Sequence, residues 1–196
     1  MIETPMYHPG SRSIQDRFDS RRIADRLEQV TVHDELSESD TAFITSAPMF
    51  FLATADADGW PDCSYKGGLP GFVSVLDART LAFPSYDGNG MFRSLGNIDV
   101  SPKVGMLFID FERASRMRIN GTATVLFDGD LLSEFEGAQA IVRVDIQRIF
   151  PNCPRYVHRM QLLDYSVYAP APGHAPPEPD WKQSADFRDA LPGTSG

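Results

Sequence analysis

The chain has 196 residues, 42% hydrophobic and 23% charged, a profile that fits one globular domain with room for a real core. Eighteen Lys and Arg against 27 Asp and Glu leave a formal charge of −9, which argues against nucleic acid or an anionic membrane as partner and obliges any anionic ligand to find locally gathered cations. No run of about 18 apolar residues is present, and the N-terminus lacks the charged and apolar regions of a signal peptide. A cytoplasmic protein is therefore expected. Cys63 and Cys153 stand far apart and outside any metal-like spacing, and His8, His33, His158 and His174 show no ligand spacing either. Two free thiols and no metal site are expected.

In chain order, residues 13–30 carry Ile14, Phe18, Ile23, Leu27 and Val30 at near-helical intervals among Arg and Asp, which predicts one amphipathic helix packed by a narrow stripe. Ser37 followed by Asp40 reads as a second helix start, with Ser37 as N-cap, and Pro48 stops that helix. Phe51-Leu52-Ala53-Thr54-Ala55, the turn cluster at 56–59 and the return run 60–68 predict a hairpin. Thr80-Leu81-Ala82-Phe83-Pro84 reads as a short strand ended by its proline, which has no N–H to give a ladder. Residues 103–111 read as a strand buried on both faces, 116–125 as its alternating partner, and 140–147 as a further strand with period-two alternation. Six strands with mostly short antiparallel connections predict a six-stranded barrel. Three units are expected: an N-terminal helical extension (1–36), the barrel (37–168), and a Pro-rich C-terminal arm or disordered tail (169–196).

Between the strands lies Ser85-Tyr86-Asp87-Gly88-Asn89-Gly90-Met91-Phe92-Arg93-Ser94-Leu95-Gly96-Asn97. It is too polar for core and is where a ligand is expected. Asn89 tolerates left-handed backbone, and the N–H groups around Met91 and Phe92 sit where a helix would begin, a favourable place for an anion. The alternative is a glycine-rich surface turn. Lys66 closes a strand before Gly67-Gly68, where backbone can approach a ligand; a solvated strand-end lysine is the competing reading. Ser64 and Tyr65 alternate on that strand, so one of them is expected to face the core. Arg116 and Arg118, two apart on a strand, share a face, either toward a ligand or in solvent balancing Asp110 and Glu112.

Residues 41–159 resemble the pyridoxamine 5′-phosphate oxidase-like split-barrel flavin proteins, in their short, functionally mixed branch. Phe51-Leu52-Ala53-Thr54, Asp62 to Gly68, Asp87-Gly88-Asn89, Ser94-Leu95-Gly96-Asn97 and Pro102 to Phe108 carry the resemblance. It implies a six-stranded antiparallel Greek-key split barrel, a homodimer, and one FMN in each of two clefts shared by both chains. The cofactor contacts it implies come from Cys63, Ser64, Tyr65 and Lys66, from Pro84, Ser85, Asn89, Gly90, Met91, Phe92, Ser94 and Leu95, and from Arg116 in place of the family's ring-contacting Gln. Arg155 and Tyr156 match the C-terminal loop that reaches the other subunit's flavin, with Arg155 as grip for an anionic substrate or simply as a turn anchor. One departure stands out. The family's residue after the Asn is commonly a phosphate-binding Arg, and here it is Gly90, so Arg93 or a partner arginine must substitute or phosphate binding is weakened. A flavin-dependent oxidoreductase with a small-molecule substrate is expected. The alternatives are a deazaflavin-dependent reductase of the same fold and a flavin or haem carrier or sensor without turnover.

Overall fold

The computed structural model describes residues 5–192. The N-terminal segment forms two helices rather than the one expected, α1 (Pro9–Arg17) and α2 (Arg21–Thr31). Between them Asp19 takes a left-handed φ of 48°, which ends the first helix and reverses the chain. The hairpin closes through polar contacts, Arg12 to Asp25 and Arg21 to Asp16 in a bidentate pair, and through the Tyr7 hydroxyl on the Ala24 carbonyl. The apolar stripe is therefore not packed inward. Ile14, Phe18, Ile23, Leu27 and Val30 all stay exposed, and only Ala24 is buried. Helical spacing specifies that these residues share a face, but not what covers it.

Helix α3 (Glu38–Ser46) begins where expected. Asp40 N–H donates to Ser37 Oγ at 3.1 Å and the Ser37 N–H donates back to Asp40 Oδ2 at 2.9 Å, a complete capping box. His33 Nε2 stands 2.9 Å from the same carboxylate, and backbone bonds between His33 and Ile149 fasten this corner to the last strand. Burial would raise the Asp40 pKa, but hydrogen bonds from Ser37 and the contact with His33 outweigh it and hold it below the usual carboxylate value. A carboxyl whose folded pKa is depressed stabilises the fold above its unfolded pKa, near 4, and loses that contribution as pH falls through the folded pKa. On titration from pH 6 to pH 2.5, wild type is expected to lose more melting temperature than Asp40→Asn, with the gap opening below about pH 4. Parallel curves would place the cap's stability elsewhere.

Seven strands, one more than expected, form one antiparallel sheet in the order β2-β1-β5-β6-β7-β4-β3. They are β1 (Met49–Ala55), β2 (Pro61–Gly67), β3 (Ser74–Asp77), β4 (Thr80–Tyr86), β5 (Lys103–Asp110), β6 (Ser115–Leu126) and β7 (Ala138–Pro151). The added strand, β3, has only four residues and sits at an edge, too short for alternation to reveal. β2 and β3 end the order without pairing to each other, so the barrel is split rather than closed. Pro84 does not end its strand: β4 runs on to Tyr86 with Pro84 opposite Ile141. β3 pairs with β4 only as far as Ala82, so the proline lies where β4 has become an edge on one side and tolerates a missing donor. β5 is also not buried on both faces, since Val104, Met106 and Phe108 point inward while Leu107 and Ile109 are half-buried.

Phe50 of β1 centres the core. Its ring lies 4.9 Å from Phe83 of β4, 5.0 Å from Phe108 of β5 and 5.9 Å from Phe72, centroid to centroid. Leu52, Met106, Ile119, Val142, Val144 and Ile149 extend the cluster, and Ile44 of α3 closes it. Helix α4 (Arg93–Val100) makes the crossover from β4 to β5 and buries Leu95 and Ile98. A buried hydrogen bond from Asn97 Nδ2 to Thr54 Oγ1, 3.0 Å long, ties α4 to β1. That tie fixes where the N-terminus of α4 points.

Candidate functional site

The start of α4, the end of β4 and the edge strand β2 enclose a polar cleft of about 230 Å3. On β2, Asp62, Ser64 and Lys66 alternate as half-buried residues while Cys63 and Tyr65 are exposed, so the first three share the cleft side. Neither Ser64 nor Tyr65 enters the core, because β2 is an edge strand without a second layer over its outer face. The loop from β4 supplies the opposite wall. Asn89 Oδ1 accepts the Met91 N–H at 3.1 Å, an Asx turn that shapes the loop, and Gly90 takes φ +74°.

The third wall is the first turn of α4. Its N-cap position is Phe92, left-handed at φ 47°, with no side-chain cap. The leading N–H groups of any α-helix lack intrahelical partners, and here no side chain takes them, so the positive end of the helix opens into the cleft. Ser94 is buried just inside it. Lys66 faces the same space. Among the described residues its ammonium makes no hydrogen bond or ion pair; burial lowers its pKa and only the nearby charge of Asp62 opposes this. Arg93 Nε approaches Asp62 Oδ1 at 3.3 Å across the mouth. An exposed pair of this kind is worth about 0–1 kcal/mol, so Arg93 is engaged but easily redirected.

The cleft gathers Cys63, Ser64, Lys66, Ser85, Asn89, Gly90, Met91, Phe92, Ser94 and Leu95 of the anticipated set. It leaves out Tyr65 and Pro84, which line a second cleft on the other side of Lys66. It also leaves out Arg116, which lies in a separate depression with His33, Asp40 and Met117. Arg116 Nη2 donates to the Cys153 carbonyl at 2.7 Å, while its Nε and Asn152 Oδ1 are buried without partners among the described residues. Arg155 and Tyr156 follow on an exposed loop. The Gly67-Gly68 pair does not hold space for a ligand: a Cβ on Gly67 would lie 2.6 Å from the Tyr65 ring, and one on Gly68 2.6 Å from Phe72. Both glycines make room for the protein's own aromatic rings. Asp62 and Tyr86 line the cleft too; the alternation that places Lys66 would have found Asp62, and Tyr86, its phenol pKa pushed up by burial, lies in the segment where a ligand was expected without having been singled out. A larger groove of about 620 Å3 lies on the far side of α4, lined by Leu95, Ile98, Val125 and the exposed Phe92 and Phe127. It holds no cation.

The family model of pyridoxamine 5′-phosphate oxidase matches residues 36–153, well over half of the chain and the whole of the cleft. The chain belongs to the pyridoxamine 5′-phosphate oxidase family. Among solved structures, a candidate pyridoxamine 5′-phosphate oxidase from Lactobacillus delbrueckii superposes with a TM-score of 0.50 at 27% identity, covering 60% of this chain and 95% of that one. The HupZ protein of Group A Streptococcus gives 0.51 at 19% identity, covering 64% and 99%. HutZ of Vibrio cholerae, described as a heme storage protein, gives 0.44 at 20%, covering 59% and 94%. No curated protein matches the chain. The first two likenesses agree on the antiparallel fold. Membership in the pyridoxamine 5′-phosphate oxidase family fixes that fold without fixing a substrate, and it leaves the N-terminal helices and the C-terminal arm outside the match. No helix of the described residues is long and apolar enough to cross a membrane.

Proposed function

We propose that this protein binds FMN in the cleft between β2, the 85–92 loop and α4, and serves as a flavin-dependent oxidoreductase on a small molecule. The observation that carries the reading is the unpaired Lys66 ammonium facing the same cleft as the uncapped start of α4. A half-buried cation without a partner and a helix N-terminus without a cap are both incomplete until an anion arrives, and a phosphate completes both. The residues present therefore fit the phosphate end of the cofactor. FMN, when bound, supplies hydride chemistry at its ring. The chain's own part is to hold the phosphate at the α4 turn, present Lys66 to acceptor atoms and shape the loop through Asn89.

A homodimer completes the site. A volume of 230 Å3 falls below the range of about 300–1,000 Å3 usual for ligand pockets, so one chain supplies only part of the enclosure. The apolar groove across α4, with exposed Phe92 and Phe127, is surface that a second copy would bury. Arg116, Arg155 and Tyr156, absent from their own chain's cleft, would then be offered to the other's. Dilution or an interface substitution that yields monomers is expected to release the flavin; a monomer with undiminished FMN affinity would contradict the shared site.

Gly90 permits a sharper test. A Cβ there would meet nothing within 4 Å, so Gly90→Arg adds a cation at the cost of about 1 kcal/mol of left-handed strain. That strain weakens FMN and riboflavin alike. FMN should nevertheless gain about 1–2 kcal/mol over riboflavin, somewhat less than a well-formed charge-assisted bond gives. A ratio that does not move would take the phosphate away from this loop. The reading as a whole is tested by the absorption spectrum of the purified protein, followed by acid release and mass measurement of the chromophore. FMN is expected; a deazaflavin or haem would replace the reading.

A further inference from the structure

We propose that the N-terminal helical hairpin is a docking arm for a second copy of this chain: the apolar stripe of α1 and α2 seats in the partner's groove beside α4, and the partner's hairpin seats here in return. The chain carries two unpartnered apolar surfaces of opposite shape. One is convex, the stripe of Ile14, Phe18, Ile23, Leu27 and Val30, each between 50% and 72% exposed. The other is concave, the groove of about 620 Å3 lined by Leu95, Ile98 and Val125 with the exposed rings of Phe92 and Phe127. Each stripe offers a few hundred Å2 of apolar surface, the size that marks an interaction site on a soluble chain. Two stripes on two grooves make four such faces, within reach of the about 1,600 Å2 that a stable interface buries.

Charge decides which face meets which. Arg17, Arg22 and Arg26 border the stripe, each a short way round its helix from the apolar residues. Arg17 and Arg26 are exposed and make no ion pair among the described residues, and Arg22 reaches only Asp19, at 3.9 Å. The groove is bordered by acids. Asp99 lines it, Asp128 and Asp130 come straight after Phe127, and no Lys or Arg lies between Arg118 and Arg143. Stripe on stripe would set arginines against arginines, and groove on groove carboxylates against carboxylates, whereas stripe in groove brings opposite signs together.

Position agrees. Val30 lines one depression with Arg116 and Met117, at the start of β6, while the groove meets the same strand at Ala123 to Val125. Six residues of strand, about 20 Å, separate the two, and the hairpin leaves its own groove bare. The groove shares Phe92 and Leu95 with the cofactor cleft. A two-fold arrangement that offers Arg116 to the partner's cleft therefore carries the neighbouring hairpin to the partner's groove. The seat rests on the flavin reading in this respect, that the shared cleft sets the two-fold. The hairpin itself lies outside the family match at 36–153, so the seat is separate from the common fold.

The test is sedimentation of the full-length protein, with and without saturating FMN. Arg22→Glu/Arg26→Glu reverses the rim of the stripe, and Asp99→Lys/Asp128→Lys reverses the rim of the groove. Each double variant alone should weaken the dimer at least tenfold, because like charges then meet at both seats. Their equimolar mixture should return to within threefold of wild type, since the reversed stripe finds the reversed groove and the native stripe the native groove. Leu27→Ser, at a position exposed in the single chain, should weaken the dimer at least tenfold without lowering the melting temperature of the diluted monomer, and it decides the matter if a reversed variant does not fold. A monomeric wild type, variants that dimerise as tightly as wild type, or a mixture that does not recover would overturn the seat. FMN binding by dimers indifferent to these variants sinks this inference alone, and hairpin-dependent dimers that bind no FMN sink the flavin reading alone.

Discussion

Replacing Phe50 by Ala is expected to lower the unfolding free energy by about 3–5 kcal/mol. Phe50 is fully buried and touches three other rings drawn from β4, β5 and the segment after β2. Its removal leaves a cavity that four separate elements would have to close at once, and a core built of sheet does not shift easily. A domain of this size has a total stability of about 5–15 kcal/mol, so the variant should be marginal at room temperature. Urea denaturation followed by tryptophan fluorescence gives the number, and Phe50→Leu should recover part of it. A loss under about 1.5 kcal/mol would mean that the aromatic cluster is not the centre of the core.

Lys66→Met is expected to weaken FMN by about 10- to 150-fold, the equivalent of losing one charge-assisted hydrogen bond of about 1.5–3 kcal/mol. The substitution keeps the aliphatic stem that covers the floor of both clefts and deletes only the ammonium. Because burial already disfavours that charge in the empty protein, its removal should not cost stability, and the melting temperature without ligand should hold or rise. Affinity and stability thus move differently. Unchanged FMN affinity in the folded variant would return Lys66 to a solvated strand-end residue. A fall in stability matching the fall in affinity would make its role structural.

Sequence made some of this legible and left other parts hidden for identifiable reasons. The α3 cap was readable because Ser37 and Asp40 act on neighbouring backbone, and the same holds for the hairpin of β1 and β2; at Asn89 the left-handed backbone expected falls instead on Gly90 and Phe92, while Asn89 accepts the Met91 N–H. Alternation along β2 was readable in principle, and it places Asp62, Ser64 and Lys66 together. What failed to read were matters decided at a distance. Ile14, Phe18, Ile23, Leu27 and Val30 announce a helical face, but the break at Asp19 and the polar closure of the hairpin leave that face outward. Pro84 looks like a terminator until the short reach of β3 is known. Gly67 and Gly68 invite a ligand on paper, yet Tyr65 and Phe72 take the space, and both belong to the local chain. The arm was least legible of all. Its prolines exclude regular structure, and nothing in them tells that Ala169 would be buried, that Pro170 would pack on Gly137 just before β7, or that Lys182 would pair with Asp87.

If the cleft beside α4 holds an anionic cofactor end, a paired titration shows it most directly. FMN and riboflavin differ by the phosphate alone. Titrated into the wild-type protein stripped of any chromophore, with flavin fluorescence quenching as readout at two salt concentrations, FMN should bind at least tenfold tighter than riboflavin. That advantage should shrink at the higher salt, because the cleft is open to solvent and its charges are screened. Equal affinities, or an FMN preference indifferent to both salt and Lys66→Met, would contradict the account.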